Sequence, residues 1–353
     1  MRIKHIVDVS DIPLSREEWN KLVLHNETNT IFQTFEWFLS WYKTFAINND
    51  LCLLVVYENE APIGFAPLVF SKNNNNKTIQ LAGYSNADYL DFVTPTKKQD
   101  VINLIIEYLT YNINDWDQII LNNIPCESST SMLIYEACKR LNLKYLKKNP
   151  INCPYLHIQG RHDEVNKLLN KYSNKRPFNY FRKQGDLKYQ VLTKAETQKH
   201  LTTFISQHIR RWATTSSPSL FYNPLNKRFY DYLTEQLSDT GWLHFSVLEL
   251  NETPISYHYG FDYDDKYYWY KPSFNVDYST HSPGTLLIRY LIQTAMENER
   301  REFDFTIGNE PFKRRFANKV RHNTNLHIHR SKRLYWIQNA LFHAGKLKRH
   351  IID

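Results

Sequence analysis

The 353-residue sequence contains few glycines and no long apolar run. It has 9 glycines, so a glycine at a turn or a helix start carries more information than usual. No uninterrupted apolar stretch approaches the ~20 residues that a membrane-spanning helix needs. The N-terminal run MRIKHIVDVSDIP carries charges within its short apolar part and does not match a secretory signal peptide. We therefore expect a cytoplasmic protein, with contact to the inner face of a membrane as the only membrane association to consider.

Signatures of several cofactor and metal sites are also missing. The sequence has no GxGxxG, no P-loop and no G-x-S-x-G motif. His327 and His329 alternate on one face of a predicted strand, but no cysteine or carboxylate stands beside them, so we expect no metal. The four cysteines form no CxxC pair, which favours a reduced protein with buried structural thiols. They are Cys52, Cys126, Cys138 and Cys153.

The positive charge of the chain is concentrated at one end. The formal net charge is +8, yet Pro311–Asp353 alone carries eleven Lys and Arg residues against one acidic residue. The rest of the chain is therefore slightly acidic. Such asymmetry indicates an anionic partner near the C-terminus, whether CoA phosphates, a lipid surface or RNA, or else a solvated basic tail.

Hydrophobic periodicity predicts two passes through a similar order of elements. Each pass reads as helix, helix, antiparallel strands, a loop, a further helix and a strand. We expect a first unit over residues 1–159, a connecting segment over 160–188 and a second unit over 189–353. The sequence also predicts a strand at Tyr89–Val93, a tight turn at Asp264-Asp265 and an amphipathic segment at Leu334–Leu347.

The most informative loop runs into a helix at Ser282-Pro283-Gly284. Free N–H groups and the dipole at a helix N-terminus favour phosphate, and glycine lets the backbone approach it closely. A plain helix start, with Ser282 as cap and Pro283 in the first turn, explains the same residues. The corresponding junction of the first pass, Asp91–Asp100, contains no glycine. A nucleotide site is therefore expected in the second unit, at Ser282, Gly284, Thr285 and Leu286.

Several motifs resemble the GNAT-superfamily acetyltransferases of the CelD-like type, which are related to Fem-type peptidyltransferases. The matching segments are FQTFEWFLSWYKTF (Phe32–Phe45), IGFAPLVF (Ile63–Phe70), DYLDF (Asp88–Phe92), HIRRW (His208–Trp212), FNVDYSTHSPGTLL (Phe274–Leu287) and FDFTIGNEPFK (Phe303–Lys313). They span nearly the whole chain in the expected order. The resemblance implies an α/β fold of two tandem GNAT-like units, each a mostly antiparallel sheet flanked by helices. It also implies acetyl-CoA or another acyl-CoA as donor, an amine acceptor, and a context of polysaccharide or cell-envelope metabolism.

Acyl transfer to an amine needs a base, an acid for the leaving thiolate and groups that orient the acceptor. His208 titrates near neutrality in its unperturbed form and shares a helix face with Arg211 and Trp212. We expect His208 to be catalytic and Arg211 and Trp212 to bind substrate. A structural histidine packed beside Trp212 explains the same pattern.

Further candidates lie at or after the end of the strand Glu302–Thr306, where the sheet of a GNAT enzyme opens to admit pantetheine. Glu310 is a candidate base, and Asp304 and Lys313 are candidate substrate contacts. Tyr270 is a candidate acid for the thiolate. A water-facing Asp304 and an exposed Glu310–Lys313 ion pair of little energetic value are the plain structural alternatives.

Two other functions stay open at this stage. A Fem-type transferase that uses aminoacyl-tRNA would suit the basic end of the chain, although such enzymes carry a long charged helical hairpin that this sequence lacks. A non-catalytic partner of an envelope assembly would place the amphipathic segment on anionic lipid.

Overall fold

A computed structural model describes residues 1–72 and 77–340, apart from 334 and 338. The chain divides into two compact units. The first comprises Met1–Ile151 together with the described residues from His322 onward, and the second comprises Asn152–Arg321. The amphipathic segment predicted at Leu334–Leu347 lies largely outside the described residues. No helix in the described part of the chain is long and apolar enough to cross a membrane.

The first unit is a mostly antiparallel sheet flanked by helices. Its strands follow the order β1-β2-β3-β4-β5-β13, and β6 also pairs with β13. Among the described residues of this unit, β4 and β5 are the one parallel pair, and α3 connects them. The elements are β1 (Arg2–Ile6), α1 (Arg16–Leu24), α2 (Phe35–Phe45), β2 (Asn49–Glu58), β3 (Ala61–Ser71), β4 (Thr78–Leu81), α3 (Lys98–Tyr111), β5 (Gln118–Pro125), α4 (Thr130–Arg140) and β6 (Lys144–Lys147), with β13 (Lys319–His329) returning from the end of the chain.

The second unit repeats this plan. Its strands follow the order β7-β12-β11-β10-β9-β8, with a single parallel pair, β11 and β12, which α9 connects. The elements are β7 (Ile151–His157), α5 (His162–Leu169), α6 (Tyr172–Phe181), β8 (Leu187–Val191), α7 (Lys194–Trp212), α8 (Pro224–Leu237), β9 (Leu243–Leu250), β10 (Thr253–Tyr263), β11 (Lys266–Phe274), α9 (Pro283–Glu297), β12 (Glu302–Asp304) and α10 (Pro311–Phe316). The predicted fold class, two similar mixed α/β units, is confirmed.

Local sequence signals explain where these elements begin and turn. Ser15 and Glu18 form a capping box at α1, which satisfies two otherwise free N–H groups. At the start of α7, the N–H and the hydroxyl of Thr193 both donate to the Glu196 carboxylate, over 2.9 and 2.7 Å. The predicted turn Asp264-Asp265 is present: both residues have positive φ, 50° and 60°, as a two-residue hairpin turn requires. The 3.6-residue period therefore sets the helices, and turn chemistry sets the hairpin.

Two predictions about local structure are corrected. Tyr89–Val93 is not a strand, because only Val93 pairs with the sheet, through an isolated bridge to Phe65. Cys126 is exposed, whereas the other three cysteines are buried as expected.

The loop between β4 and α3 returns to the sheet of the first unit. Val93 and Phe65 exchange both backbone hydrogen bonds, of 2.8 and 2.9 Å. On the other side, the Leu90 N–H donates to the carbonyl oxygen of Asn123 in β5 over 3.1 Å. Gly64 permits this close approach, because a Cβ there would lie 2.7 Å from the Val93 carbonyl oxygen. The chain itself therefore bridges the position beyond the end of β4.

We expect Gly64→Ala to destabilise the first unit by about 1–3 kcal/mol, as overpacking of a tight core does. The added methyl group meets backbone rather than a flexible side chain, so the loop or the strand has to shift. Gly284→Ala is the matched control, because its Cβ would meet Phe274 at an ordinary 3.7 Å. Denaturant unfolding of both variants measures the difference. Equal stability of the two would contradict the close approach at Gly64.

Candidate functional site

A cavity of about 200 Å³ lies in the second unit where β11 ends and α9 begins. Parallel pairing of β11 with β12 stops at Tyr268 and Asp304, and the strands no longer share a ladder beyond that point. The cavity is lined by Arg211, Trp269, Pro272, Ser273, Phe274, Ser279, Ser282, Gly284, Thr285, Ile288 and Phe312. It combines an apolar wall of aromatic and aliphatic side chains with a polar rim of hydroxyl groups and one guanidinium.

The N-terminus of α9 forms one edge of this cavity. Pro283 occupies the first helical position, and Ser282 before it takes the left-handed conformation with φ of 56°. Within the described residues, the N–H of Gly284 has no backbone acceptor. A Cβ on Gly284 would lie 3.7 Å from the Phe274 ring, so the absence of a side chain keeps the space beside that ring open. A 15-residue helix contributes its dipole here, which favours an anion.

Thr285 and Leu286, the other two predicted cofactor contacts, differ in what they offer. Both backbone N–H groups already donate to the carbonyl oxygen of Ser282, over 3.0 and 3.3 Å. The Thr285 side chain lines the cavity, and its Oγ1 accepts from Arg315 Nη2 at 3.0 Å. The Leu286 side chain is fully buried in the core of the second unit. The loop therefore presents Ser282, Gly284 and Thr285 to the cavity, and Leu286 anchors the helix.

Arg211 places a partly buried cation at the cavity wall. Its Nη1 donates to the Pro272 carbonyl oxygen over 3.1 Å, and its guanidinium lies 4.4 Å from the centre of the Phe274 ring. Burial lowers the pKa of Arg211. No carboxylate of the described residues pairs with Arg211, whereas the neighbouring Arg210 pairs with Asp277 at 2.8 Å. A partly desolvated guanidinium without a counter-ion favours an anionic ligand.

Ser273 adds to the same wall a hydroxyl group without a hydrogen-bond partner among the described residues. Its Oγ is buried, while its carbonyl oxygen accepts from Ser256 at 2.7 Å. A buried polar atom without a partner is unfavourable by about 1–3 kcal/mol. A ligand in the cavity that offers a donor or acceptor at Ser273 would remove that penalty.

His208 and Trp212 lie beneath this wall and do not line the cavity. The His208 ring is 3 % exposed, its Nδ1 lies 2.8 Å from Ser219 Oγ, and it stacks on Trp212 with 5.7 Å between ring centres. Burial, with Arg211 and Lys271 nearby, lowers the pKa of His208 to about 3. The imidazole is therefore neutral and weakly basic at pH 7.

Tyr270 also belongs to the aromatic core. It is 4 % exposed and packs against Phe261 and Tyr230, with ring centres 5.3 and 6.3 Å away. The ammonium of Lys271 lies 3.9 Å from the centre of the Tyr270 ring. Trp269, its neighbour in β11, points into the cavity instead.

Asp304 does not face water. It is fully buried, its Oδ1 accepts from the Thr306 N–H at 2.7 Å, and its Oδ2 lies 3.8 Å from Arg321 Nη1. Arg321 also pairs with Glu302 at 2.6 Å and lies 4.0 Å from the centre of the Tyr155 ring. This ion cluster ties the end of β12 to the rest of the second unit.

Glu310 and Lys313 form a clamp over Gly308. Lys313 is 4 % exposed, and its Nζ donates to the Ile307 carbonyl oxygen at 2.6 Å and lies 3.2 Å from Glu310 Oε2. A Cβ on Gly308 would collide with both side chains, at 2.0 Å from Glu310 and 2.5 Å from Lys313. The clamp fixes the start of α10, which carries Phe312 into the cavity. The Glu310–Lys313 pair is therefore not a freely exposed one, although the Glu310 side chain is half exposed.

The cavity thus brings together four of the residues expected from the sequence, Arg211, Ser282, Gly284 and Thr285. The other candidates lie in the layers around it, and their roles stay predictions. Sequence reasoning missed Trp269, Ser273, Phe274 and Phe312. Among 52 aromatic residues, no spacing distinguishes the three that face the cavity, and Ser273 lies in no motif.

Comparisons with known proteins show a similar fold and one matching family model. Residues 170–314 match the family model of the acetyltransferase (GNAT) domain. A search of curated proteins found no match. FemX has 11% sequence identity, a TM-score of 0.67 and coverage of 96% of this chain and 99% of its own. A protein of unknown function from Bacteroides thetaiotaomicron has 10% identity, a TM-score of 0.61 and coverage of 93% and 100%.

The C-terminal domain of a putative lysylphosphatidylglycerol synthetase from Agrobacterium fabrum has 10% identity, a TM-score of 0.55 and coverage of 92% and 96%. At these identities the three structures show a shared fold only. The expected CelD-like subgroup is not among these findings and stays a prediction. The matched residues run from the start of α6 into α10 and include the residues that line the cavity, so the acetyltransferase (GNAT) family model matches the part of the second unit that contains the cavity.

Proposed function

We propose that this protein transfers an acyl group from acyl-CoA to an amine, with the donor bound in the cavity of the second unit. The observation that carries the proposal is the cavity at the start of α9, where Arg211 has no carboxylate partner and the Gly284 N–H has no backbone acceptor among the described residues. A pyrophosphate placed there would meet the helix dipole, the Arg211 guanidinium and the hydroxyl of Ser282. The apolar wall suits the pantetheine arm.

The reaction requires little from the protein beyond positioning and proton transfer. The amine nitrogen attacks the thioester carbonyl carbon, the carbon–sulfur bond breaks, and the amine loses a proton while the thiolate gains one. We assign the base to Glu310, because its carboxylate is half exposed at the start of α10, the helix that carries Phe312 into the cavity. Tyr270 remains the candidate acid, and acetyl remains the candidate acyl group.

His208 has a different proposed role. A ring with a pKa of about 3 is a poor proton acceptor at neutral pH, and it lies under the wall rather than in it. We assign His208 to holding the end of α7, through Ser219 and Trp212, so that Arg211 faces the cavity.

An aminoacyl-tRNA donor is the second candidate, and the surface of α6 favours it. Residues 171–183 carry Lys171, Lys175, Arg176, Arg182 and Lys183 and no acidic residue. All five are exposed, and none forms an ion pair within the described residues. The α6 helix contacts the cavity loop, because Tyr180 stacks on His281 with 3.6 Å between ring centres. A polyanion at the cavity would meet this basic face.

The third candidate, a non-catalytic partner that lies on anionic lipid, rests on the C-terminal amphipathic segment. That segment lies largely outside the described residues, and the lipid-bound role stays a prediction.

CoA is expected to raise the melting temperature of the wild-type protein, because a ligand of the folded state stabilises it. Arg211→Gln should weaken CoA binding about tenfold or more, through loss of a charge-assisted bond. Arg210→Gln is the matched control, since Arg210 is already paired with Asp277.

Gly284→Val should also weaken CoA binding, because its side chain would fill the space beside Phe274. Calorimetric titration measures all four proteins, and the absence of CoA binding by folded wild type would rule the proposal out.

His208→Ala is expected to lower the free energy of unfolding by about 2–4 kcal/mol through the cavity and lost contacts. The pKa of His208 is depressed in the folded state, so the folded protein favours the neutral imidazole. The contribution of His208 to the free energy of unfolding is therefore complete above pH 6.5 and is lost as the pH falls from 6.5 towards 3. Wild-type stability should fall over that range more steeply than that of the variant.

Turnover by the folded fraction of His208→Ala should exceed turnover by Glu310→Gln. A stable His208→Ala protein with turnover reduced ~10²-fold or more would instead support His208 as the base.

Charge reversal on α6 distinguishes the two donors. The double variant Lys175→Glu, Arg182→Glu should retain CoA affinity within about twofold, because exposed charges that do not touch the ligand contribute little. An aminoacyl-tRNA donor predicts the opposite pattern. In that case wild type binds tRNA with a strong salt dependence, the double variant loses this binding, and CoA does not bind.

A further inference from the structure

The β10–β11 ladder contains a bulge beside the cavity. Tyr259 pairs with Lys271 and Phe261 pairs with Tyr268, so Gly260 alone stands opposite two residues of β11, Trp269 and Tyr270. A bulge of this kind leaves one residue without its normal ladder partner and redirects a side chain. Here the redirected side chain is Trp269, which lines the cavity.

His258 supplies the acceptor that the bulge takes away. The backbone N–H of Tyr270 donates to His258 Nε2 over 3.3 Å, and the imidazole stacks on the Trp269 ring with 4.9 Å between centres and 9° between planes. His258 is fully buried, so this contact does not compete with water. One side chain therefore contacts both residues of the bulge.

Gly260 makes room for this arrangement. A Cβ there would lie 2.0 Å from His258 Cε1, 2.3 Å from His258 Nε2 and 2.4 Å from the carbonyl oxygen of Tyr268. The imidazole thus packs against the backbone of β10 at Gly260, the one position of that strand without a side chain. Burial keeps the pKa of His258 well below its ordinary value, so the ring stays neutral. In the tautomer that carries its proton on Nδ1, Nε2 is the acceptor that the Tyr270 N–H contact requires.

We propose that His258 is a positioning residue for the acyl donor: its imidazole fixes the β11 bulge and thereby holds Trp269 against the pantetheine end of the ligand. The inference rests on the proposed function, because it assumes that the cavity holds acyl-CoA. It assigns His258 no contact with the reacting atoms. It predicts that the nucleotide end of the donor, bound at α9 and Arg211, does not depend on His258.

The test compares His258→Leu and His258→Gln with the control His244→Leu. Leucine removes the acceptor, whereas glutamine can place an amide oxygen near the position of Nε2. His244 is an equally buried imidazole in β9, and neither of its nitrogens has a hydrogen-bond partner among the described residues. Its ring contacts Tyr267 and makes no hydrogen bond to the bulge. The control therefore reproduces the loss of a buried histidine without the loss of the Tyr270 hydrogen bond.

Two ligands separate positioning from general destabilisation. Acetyl-CoA contains the nucleotide and the pantetheine thioester, whereas adenosine 3′,5′-bisphosphate contains only the adenosine, the 3′-phosphate and one of the two 5′-phosphates. We expect His258→Leu to weaken acetyl-CoA binding by about 10- to 100-fold, as misplacement of a site wall does. The affinity for adenosine 3′,5′-bisphosphate should stay within about twofold of wild type, the range expected for a group that does not touch the ligand. His258→Gln should restore most of the acetyl-CoA affinity, and His244→Leu should retain it.

Amide exchange at Tyr270 gives a readout that does not depend on the ligand. The Tyr270 N–H should exchange about tenfold faster or more in His258→Leu, and close to the wild-type rate in His258→Gln and His244→Leu. If wild type binds neither ligand, the proposed function fails, while the exchange rates still decide whether His258 holds the bulge. Equal exchange at Tyr270 in all variants, or equal loss of both ligands in His258→Leu, would overturn the inference. Should His258→Leu fail to fold, an unprotected Tyr270 amide in folded His258→Gln would overturn it as well.

Discussion

The end of parallel pairing between β11 and β12 is the feature on which the candidate site depends. The two strands share three residue pairs, from Lys266–Glu302 to Tyr268–Asp304, and then separate. Beyond that point the β11 bulge turns Trp269 into the opening. The backbone groups freed by the separation are satisfied locally, for example by the Thr306 hydroxyl, which donates to the Trp269 carbonyl oxygen over 3.2 Å. An opening in a sheet persists only when such groups find partners.

The first unit shows what happens when the same opening is bridged by the chain. Its parallel pair, β4 and β5, also has three residue pairs. There the loop before α3 returns, and Leu90 and Val93 form backbone hydrogen bonds on either side. Asp91 within that loop is buried and accepts from Thr28, Ser128 and its neighbour Phe92. The two units thus share one plan and differ in what occupies the position beyond the parallel pair.

The buried polar groups of the second unit fall into two sets, those that are paired with other protein groups and those that are not. Asp304 is held by Arg321 and Thr306, and Lys313 is held by Glu310 and a carbonyl oxygen. At the cavity, in contrast, the Ser273 hydroxyl has no partner and the Arg211 guanidinium has no carboxylate among the described residues. Unpaired polar groups are unfavourable in a protein interior. We therefore expect a ligand to bind where the Ser273 hydroxyl and the Arg211 guanidinium lie.

The sequence by itself determined the repeated element order, the Asp264-Asp265 turn and the loop before α9. These features depend on interactions between residues close in the chain: hydrophobic period, capping and turn chemistry. Arg211 and Gly284 could be predicted as candidates because each lies in a motif. Tertiary structure alone decided that His208 is buried and neutral, and that Trp269, Ser273 and Phe312 meet at one cavity. It also decided that His258 contacts a bulge twelve residues away in the chain. Burial, strand register and the place where two strands separate depend on residues distant in sequence, and no local pattern encodes them.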